Sequence, residues 1–109
     1  MRFSDLLARE RVDTALTVAD KDSALNALST LLAHGAEGQS SAAILRVLRA
    51  REGQQSTGVG DEVAIPHGRM AGIARLVAAF AIVPTGVEFD SIDRRPVRIM
   101  VAILAPEGS

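Results

Sequence analysis

The chain of 109 residues has the length of a single domain, and 48% of its residues are hydrophobic. Its 12 Lys and Arg residues nearly balance its 13 Asp and Glu residues, so composition argues against nucleic acid or anionic lipid as a partner. The chain contains two histidines and no cysteine, which excludes disulfides, thiolate zinc sites and thiol nucleophiles. The apolar runs at 76–84 and 99–106 are too short to cross a bilayer. We therefore expect one soluble, cytoplasmic domain over residues 1–109, without membrane insertion.

The first third of the chain predicts a short helix, a strand and a longer helix. Residues 3–10 suit a helical turn, and residues 12–19 alternate apolar and polar side chains as a strand does. Asp20 or Asp22 offers an N-cap for a helix whose apolar residues recur at helical spacing up to Gly35. This longer helix has the most regular pattern of the three.

A second helix is predicted over residues 41–52. Ser40 or Ser41 caps its start, and Gly53 ends it. Its last turn carries arginines, including Arg51, where the helix dipole favours positive charge.

Two late segments predict buried strands. Residues 76–83 and 97–104 are almost continuously apolar, which is typical of strands covered on both faces. The expected fold is α/β, a three-layer sandwich with a central mixed sheet and helices on both faces. No helix pattern follows the last strand, so we expect either a C-terminally truncated form or a homo-oligomer that covers the open face.

The stretch from 51 to 69 concentrates polar and flexible residues, and His67 is its chemical centre. Pro66 holds the preceding residue extended and Gly68 permits a turn, so His67 is expected at a strand end. A neutral imidazole can attack a phosphoryl group with one ring nitrogen while the other donates to an acceptor. A histidine in a polar turn is also commonly a surface residue without chemistry, and this alternative stays open.

Donors suited to a phosphate lie nearby in the sequence. They are the Arg51 guanidinium, the Ser56 and Thr57 hydroxyls, and the amides around Gly58 and Gly60. The two glycines do not form a nucleotide-binding loop, because no Gly-Lys-Ser or Gly-Lys-Thr ending and no third glycine follow them. The alternative is a solvated polar turn after the second helix.

The order of these residues resembles a known family. The residues that carry the resemblance are Arg51-Glu52, Ser56-Thr57-Gly58 and the run from Ala64 to Arg69. The chain resembles the enzyme IIA domain of the fructose/mannitol type of the bacterial phosphoenolpyruvate-dependent phosphotransferase system, including its nitrogen-regulatory branch. The resemblance covers essentially the whole chain, and it continues in the late residues Phe89-Asp90, Asp93, Arg95-Pro96-Val97 and Leu104-Ala105-Pro106.

This resemblance implies a phosphohistidine relay. His67 would accept a phosphoryl group from an HPr-type carrier, Arg51 would stabilise it, and Ser56 and Thr57 would assist. No metal and no organic cofactor are implied. The downstream partner would be a regulatory target or an enzyme IIB domain.

Two departures from the family pattern bear on this expectation. Glu62 replaces a glycine that is common in relatives and is expected to add negative charge near the incoming phosphoryl group. The second active-site histidine and the C-terminal helices of relatives have no counterpart in residues 1–109. A non-catalytic regulatory binding module and a sugar-specific transport component are therefore the alternative functions.

Overall fold

A computed structural model describes residues 8–108. These residues form two α-helices and six β-strands. In chain order the elements are β1 Val12–Asp13, α1 Lys21–Ala33, α2 Ser41–Glu52, β2 Gly58–Gly60, β3 Val63–Ala64, β4 His67–Met70, β5 Val77–Val87 and β6 Val97–Pro106.

The six strands form one mixed sheet in the order β1-β5-β6-β3-β2, with β4 also paired to β6. β5 and β6 are antiparallel, whereas β3 and β4 run parallel to β6. β1 runs parallel to β5 at the opposite side. β4 pairs with β6 alone and is therefore an edge strand, which makes it accessible at the rim of the sheet.

β3 and β4 follow β6 in a single register. Val63 is opposite Ile99 and His67 is opposite Ile103, so the offset between partners is the same before and after Pro66. Pro66 has no N–H to donate, but its carbonyl accepts from the Ile103 N–H at 2.9 Å. The chain therefore stays aligned with β6 across the proline, and His67 begins the next strand segment.

Both helices begin and end where side-chain chemistry predicts. The Asp20 carboxylate accepts from the Ser23 N–H at 2.8 Å, and the Ser23 hydroxyl accepts from the Asp20 N–H, which completes a capping box. The hydrogen bonds to Ser23 lower the pKa of Asp20. Ser40 caps α2 through the Ala43 N–H, and Gly53 follows its last residue. The predicted bounds of α2, 41–52, are confirmed.

The core lies between the two helices and one face of the sheet. Alternate residues of β5 and β6 enter it, as the period of a strand requires. The buried apolar residues from these elements include Ala24, Leu25, Leu28, Leu32, Ile44, Leu48, Val77, Ala79, Ala81, Val83, Val87, Val97, Met100, Ala102 and Leu104.

The α/β class with a central mixed sheet is confirmed. Within residues 8–108 both helices pack into the same core cluster, on one side of the sheet. The other side carries residues that are partly exposed, among them Phe80, Ile82, Val101 and Ile103. Neither helix of the described chain has the length and apolar content needed to span a membrane.

Several predicted strand bounds are wrong. The strand expected over 12–19 ends at Asp13, because the Asp13 carboxylate accepts from the Ala15 N–H and turns the chain. The two late strands extend to Val87 and Pro106, beyond the apolar runs that predicted them. The helix predicted over 3–10 lies largely outside the described residues, and only a 3₁₀ turn at Arg9–Arg11 is seen in its last part.

A buried carboxylate joins the end of α2 to α1 and to the turn that follows. Glu52 is only 8% exposed. One of its oxygens accepts from the Thr57 hydroxyl at 2.5 Å. The other accepts from the Thr57 N–H at 2.8 Å and pairs with the Lys21 ammonium at 2.9 Å. A buried carboxylate at a helix C-terminus is stable only with such donors, so these contacts fix the end of α2.

We expect Glu52→Gln to lower the free energy of unfolding by about 1–3 kcal/mol, because an amide has one acceptor oxygen and leaves a buried donor unsatisfied. Chemical denaturation measures the change. Asp22→Asn is the matched control, since the Asp22–Arg49 ion pair is largely solvent-exposed and should contribute little. Equal midpoints for the two variants would contradict the structural role of Glu52.

Candidate active site

A cleft of about 700 Å³ opens at the sheet edge between α2 and β4. Its walls are apolar apart from a histidine, two arginines and one glutamine. The lining residues are Val47, Ala50, Arg51, Gln54, Ile65, His67, Gly68, Arg69, Ile103 and Ala105. No carboxylate is among them.

His67 is half-buried in this cleft, and its ring orientation is set by the backbone two residues before it. Nδ1 lies 2.7 Å from the carbonyl oxygen of Ile65. A carbonyl oxygen only accepts, so this hydrogen bond requires the proton on Nδ1. In the neutral ring Nε2 then keeps its lone pair. The arrangement provides a nucleophilic nitrogen of defined tautomer.

The acceptor for His67 is a backbone carbonyl that the pairing with β6 does not use. The N–H and C=O of one strand residue point the same way, and at Ile65 they point away from β6. The Ile65 N–H donates to the Thr57 carbonyl at 2.9 Å, while the Ile65 carbonyl receives the histidine. Within the local sequence Ile-Pro-His, the isoleucine carbonyl thus orients the imidazole ring of His67.

Gly68 allows α2 to approach β4 closely. A Cβ atom at Gly68 would lie 2.5 Å from Cγ1 of Val47, a distance that packed side chains do not tolerate. Because Val47 and Arg51 are one helical turn apart, this approach brings Arg51 to the cleft. Gly68 therefore links the two halves of the site.

Arg51 reaches the cleft from the last turn of α2. One of its N–H groups donates to the Gln55 carbonyl at 2.8 Å, which orients the guanidinium. The remaining donors of the planar fork are available for an anion. The structure therefore brings together His67 and Arg51, which the sequence predicted as partners.

Ser56 and Thr57 are not among the residues that line the cleft. The Ser56 hydroxyl donates to the Phe89 carbonyl at 2.7 Å and accepts from the Gly58 N–H. The Thr57 hydroxyl donates to Glu52. Both side chains hold the turn after α2, and the expected contact with phosphate stays a prediction without support from this geometry.

The Glu62 carboxylate, which was expected to add negative charge near the site, is paired with two arginines that do not line the cleft. These are Arg95 and Arg98, each at 3.0 Å. Glu62 has a positive φ of 67°, the backbone conformation that favours glycine. The residue therefore changes the turn and not the charge of the cleft.

Two aspartates among the late residues that resemble the family have structural roles. Asp93 accepts from the backbone N–H groups of Asp61 and Arg95, and these bonds lower its pKa. Asp90 pairs with Lys21 at the surface. Within residues 8–108 no group of three or more His, Asp or Glu side chains is arranged to hold a metal ion.

The family assignment follows from comparison with known proteins. The family model described as "Phosphoenolpyruvate-dependent sugar phosphotransferase system, EIIA 2" matches residues 5–109. The chain belongs to this EIIA type 2 family. Its members are phosphotransfer proteins of the phosphotransferase system, and the expected family is confirmed.

Several proteins of the EIIA type 2 family are similar over the whole chain. A nitrogen regulatory protein of Bradyrhizobium diazoefficiens is 38% identical over 109 residues, covering 100% of this chain and 71% of that protein. The fructose-specific EIIABC component of Bacillus subtilis is 28% identical over 109 residues, covering 100% of this chain and 17% of that protein.

Solved structures of EIIA proteins share the fold. The nitrogen regulatory protein IIA-Ntr of Neisseria meningitidis superposes with a TM-score of 0.91 and 33% identity, covering 96% of this chain and 71% of that chain. The mannitol IIA protein of Escherichia coli has a TM-score of 0.75 at 21% identity, covering 93% of this chain and 72% of that chain. The second similarity concerns the fold alone.

Sequence reasoning missed two contributors to this EIIA cleft. Ile103 lines it from β6, and its place beside His67 depends on the parallel register of β4 with β6. Arg69 lines it from β4, two residues after the histidine. The strand period is the signal that could have identified Arg69, because residues two apart share a face.

We expect Gly68→Ala to lower the free energy of unfolding by about 1–3 kcal/mol, because the added methyl group overlaps Val47. Val47→Ala in the same chain removes the overlap, so the double variant should be less destabilised than the sum of the single variants, by about 0.5–3 kcal/mol. Denaturation of the four proteins measures this coupling.

Gly53→Ala is the matched control for this cycle. Its φ is -67°, and an added Cβ would come no nearer than 3.4 Å to Arg49. It should show no coupling to Val47→Ala. Strict additivity of Gly68→Ala and Val47→Ala would contradict the close approach of α2 to β4.

Proposed function

We propose that this chain is a phosphohistidine carrier that accepts a phosphoryl group on Nε2 of His67 from the phosphohistidine of an HPr-type protein. The observation that carries the proposal is the hydrogen bond from Nδ1 to the Ile65 carbonyl, which leaves Nε2 available in a cleft beside Arg51. Membership of the EIIA type 2 family supports it. The reaction takes place in the cytoplasm and uses no metal or organic cofactor.

The chemical step exchanges one P–N bond for another. The Nε2 lone pair of His67 forms a bond to phosphorus while the bond from phosphorus to the donor imidazole breaks. That electron pair returns to the donor nitrogen. The Nδ1 proton stays on His67, and its hydrogen bond to the Ile65 carbonyl stabilises the positive charge that develops on the ring.

Positioning and electrostatics supply most of the catalysis in such transfers. The guanidinium of Arg51 binds the phosphoryl oxygens in our proposal and stabilises the charge they carry in the transition state. Ser56 and Thr57 act indirectly, because their hydroxyls hold the turn that follows Arg51.

The regulatory branch of the family is the proposed context. The nitrogen regulatory protein of Bradyrhizobium diazoefficiens is 38% identical, against 28% for the fructose-specific component of Bacillus subtilis. The phosphoryl group on His67 then serves as a signal that alters contacts with a regulatory target. Transfer to a sugar-specific IIB domain is the second candidate, favoured by the similarity to the fructose component.

Incubation with phosphoenolpyruvate, enzyme I and an HPr-type carrier is expected to label the chain with an acid-labile, base-stable phosphoryl group. His67→Ala should abolish the label, because Nε2 of this residue is the acceptor. His34→Ala is the matched control, since His34 is the other histidine of the chain and follows the end of α1. Labelling of the His67→Ala protein would refute the assignment.

A chain that is not labelled, but still binds its target, would favour a non-catalytic regulatory module. This outcome is measured by pull-down of the candidate target with the unlabelled protein. Where the chain is labelled, the regulatory context requires the phosphorylated and unphosphorylated forms to differ in affinity for the target.

We expect Arg51→Ala to slow phosphorylation of His67 by about 10- to 1000-fold, because one preorganised donor to the transferring group is lost. Arg51→Lys should restore part of the rate, since it keeps the charge but not the planar fork. Rapid-quench kinetics measure the rates, and thermal melts check that the variants are folded. Unchanged rates for Arg51→Ala would exclude the residue from the reaction.

A further inference from the structure

The cleft contains a second guanidinium group, that of Arg69, which lies on the same strand as His67. Arg69 follows His67 by two residues in β4, so both side chains leave the same face of the strand. Their partners in β6, Ala105 and Ile103, also line the cleft. The intervening Gly68 faces α2 instead. The separation along the strand is about 6.6 Å, which the long arginine side chain can span.

The two arginines of the cleft differ in their partners from three other arginines of the described chain. Arg49, Arg95 and Arg98 form ion pairs with carboxylates. Within residues 8–108 neither Arg51 nor Arg69 forms such a pair. Two positive charges therefore face one cleft without a compensating carboxylate.

The remaining lining of the cleft contains no carboxylate that would oppose this positive charge. It consists of aliphatic side chains, a glycine, a glutamine and the histidine. None of these groups repels an anion, so a dianion between the two guanidinium groups is attracted by both. A phosphoryl group on Nε2 has three free oxygens, enough for one bidentate arginine and a second donor.

We propose that Arg69 is a second phosphoryl-binding residue, whose guanidinium contacts the phosphoryl oxygens at His67 from the strand while Arg51 contacts them from the helix. The inference rests on the proposed function. In the motif Pro-His-Gly-Arg, the histidine then forms the P–N bond and the arginine binds the transferred phosphoryl group. The glycine keeps the helix near both.

The test compares two phosphoryl donors on the full chain. The first is the phosphorylated HPr-type carrier, and the second is phosphoramidate, a small P–N donor that makes no protein contacts. Arg69→Ala is expected to lower the rate of His67 phosphorylation at least about tenfold with both donors, because the contact is to the phosphoryl group itself. Arg69→Lys should lie between the Ala variant and the unchanged protein.

Arg75→Ala is the matched control, because Arg75 is an exposed arginine on the loop before β5 and does not line this cleft. It removes the same charge and should leave both rates unchanged. Arg69 is exposed, so a thermal melt of Arg69→Ala should match that of the unchanged protein.

Each remaining outcome overturns the inference in a distinguishable way. A loss confined to the protein donor would show that Arg69 contacts the carrier and not the phosphoryl group. Equal rates for Arg69→Ala and the unchanged protein would remove Arg69 from the site while His67 phosphorylation stands. Absence of labelling of the unchanged protein by either donor would refute the proposed function, and this inference with it.

Discussion

The contacts of the Glu52 carboxylate are the constraint on which the site depends. They tie the last residue of α2 to Lys21 at the start of α1 and to both donors of Thr57. Arg51 precedes Glu52, so the position of its guanidinium follows from the position of this helix end. Thr57 in turn accepts from the Ile65 N–H, which connects the same carboxylate to the strand that carries His67.

The architecture thus assembles the cleft from two sides by different means. On the strand side, backbone pairing with β6 fixes the register of His67 and Arg69. On the helix side, packing of Val47 against Gly68 fixes the distance to β4. Neither side depends on a direct hydrogen bond between the reacting residues, which leaves the space between them free for a phosphoryl group.

Much of this structure was predictable because its determinants are local. The caps at Asp20 and Ser40 and the end of α2 at Gly53 depend on residues within one helical turn of each other. Each cap was one of two candidates that the sequence offered, and the end at Gly53 was predicted correctly. The motif around His67 likewise indicated a strand boundary and a family.

The features that sequence reasoning missed depend on contacts between distant residues. Thr57 appeared suited to phosphate, but Glu52 is buried beside it and takes its hydroxyl. Glu62 appeared to add charge near the site, but Arg95 and Arg98 are brought to it by the sheet. The early strand ended at Asp13 because one side-chain acceptor outweighed an alternating pattern. Hydrophobic periodicity contains no information on which partner a polar group will find.

The edge position of β4 has a consequence for association between molecules. An unpaired strand edge is a template on which another chain can add a strand. In the segment from Ile65 to Arg69 the outward carbonyl of Ile65 is occupied by the histidine ring, and Arg69 adds an exposed charge. An occupied carbonyl cannot accept from a second chain, and an exposed charge on an edge strand opposes aggregation. The residues that create a reactive nitrogen at the rim of the sheet therefore also guard that rim against intermolecular β-pairing.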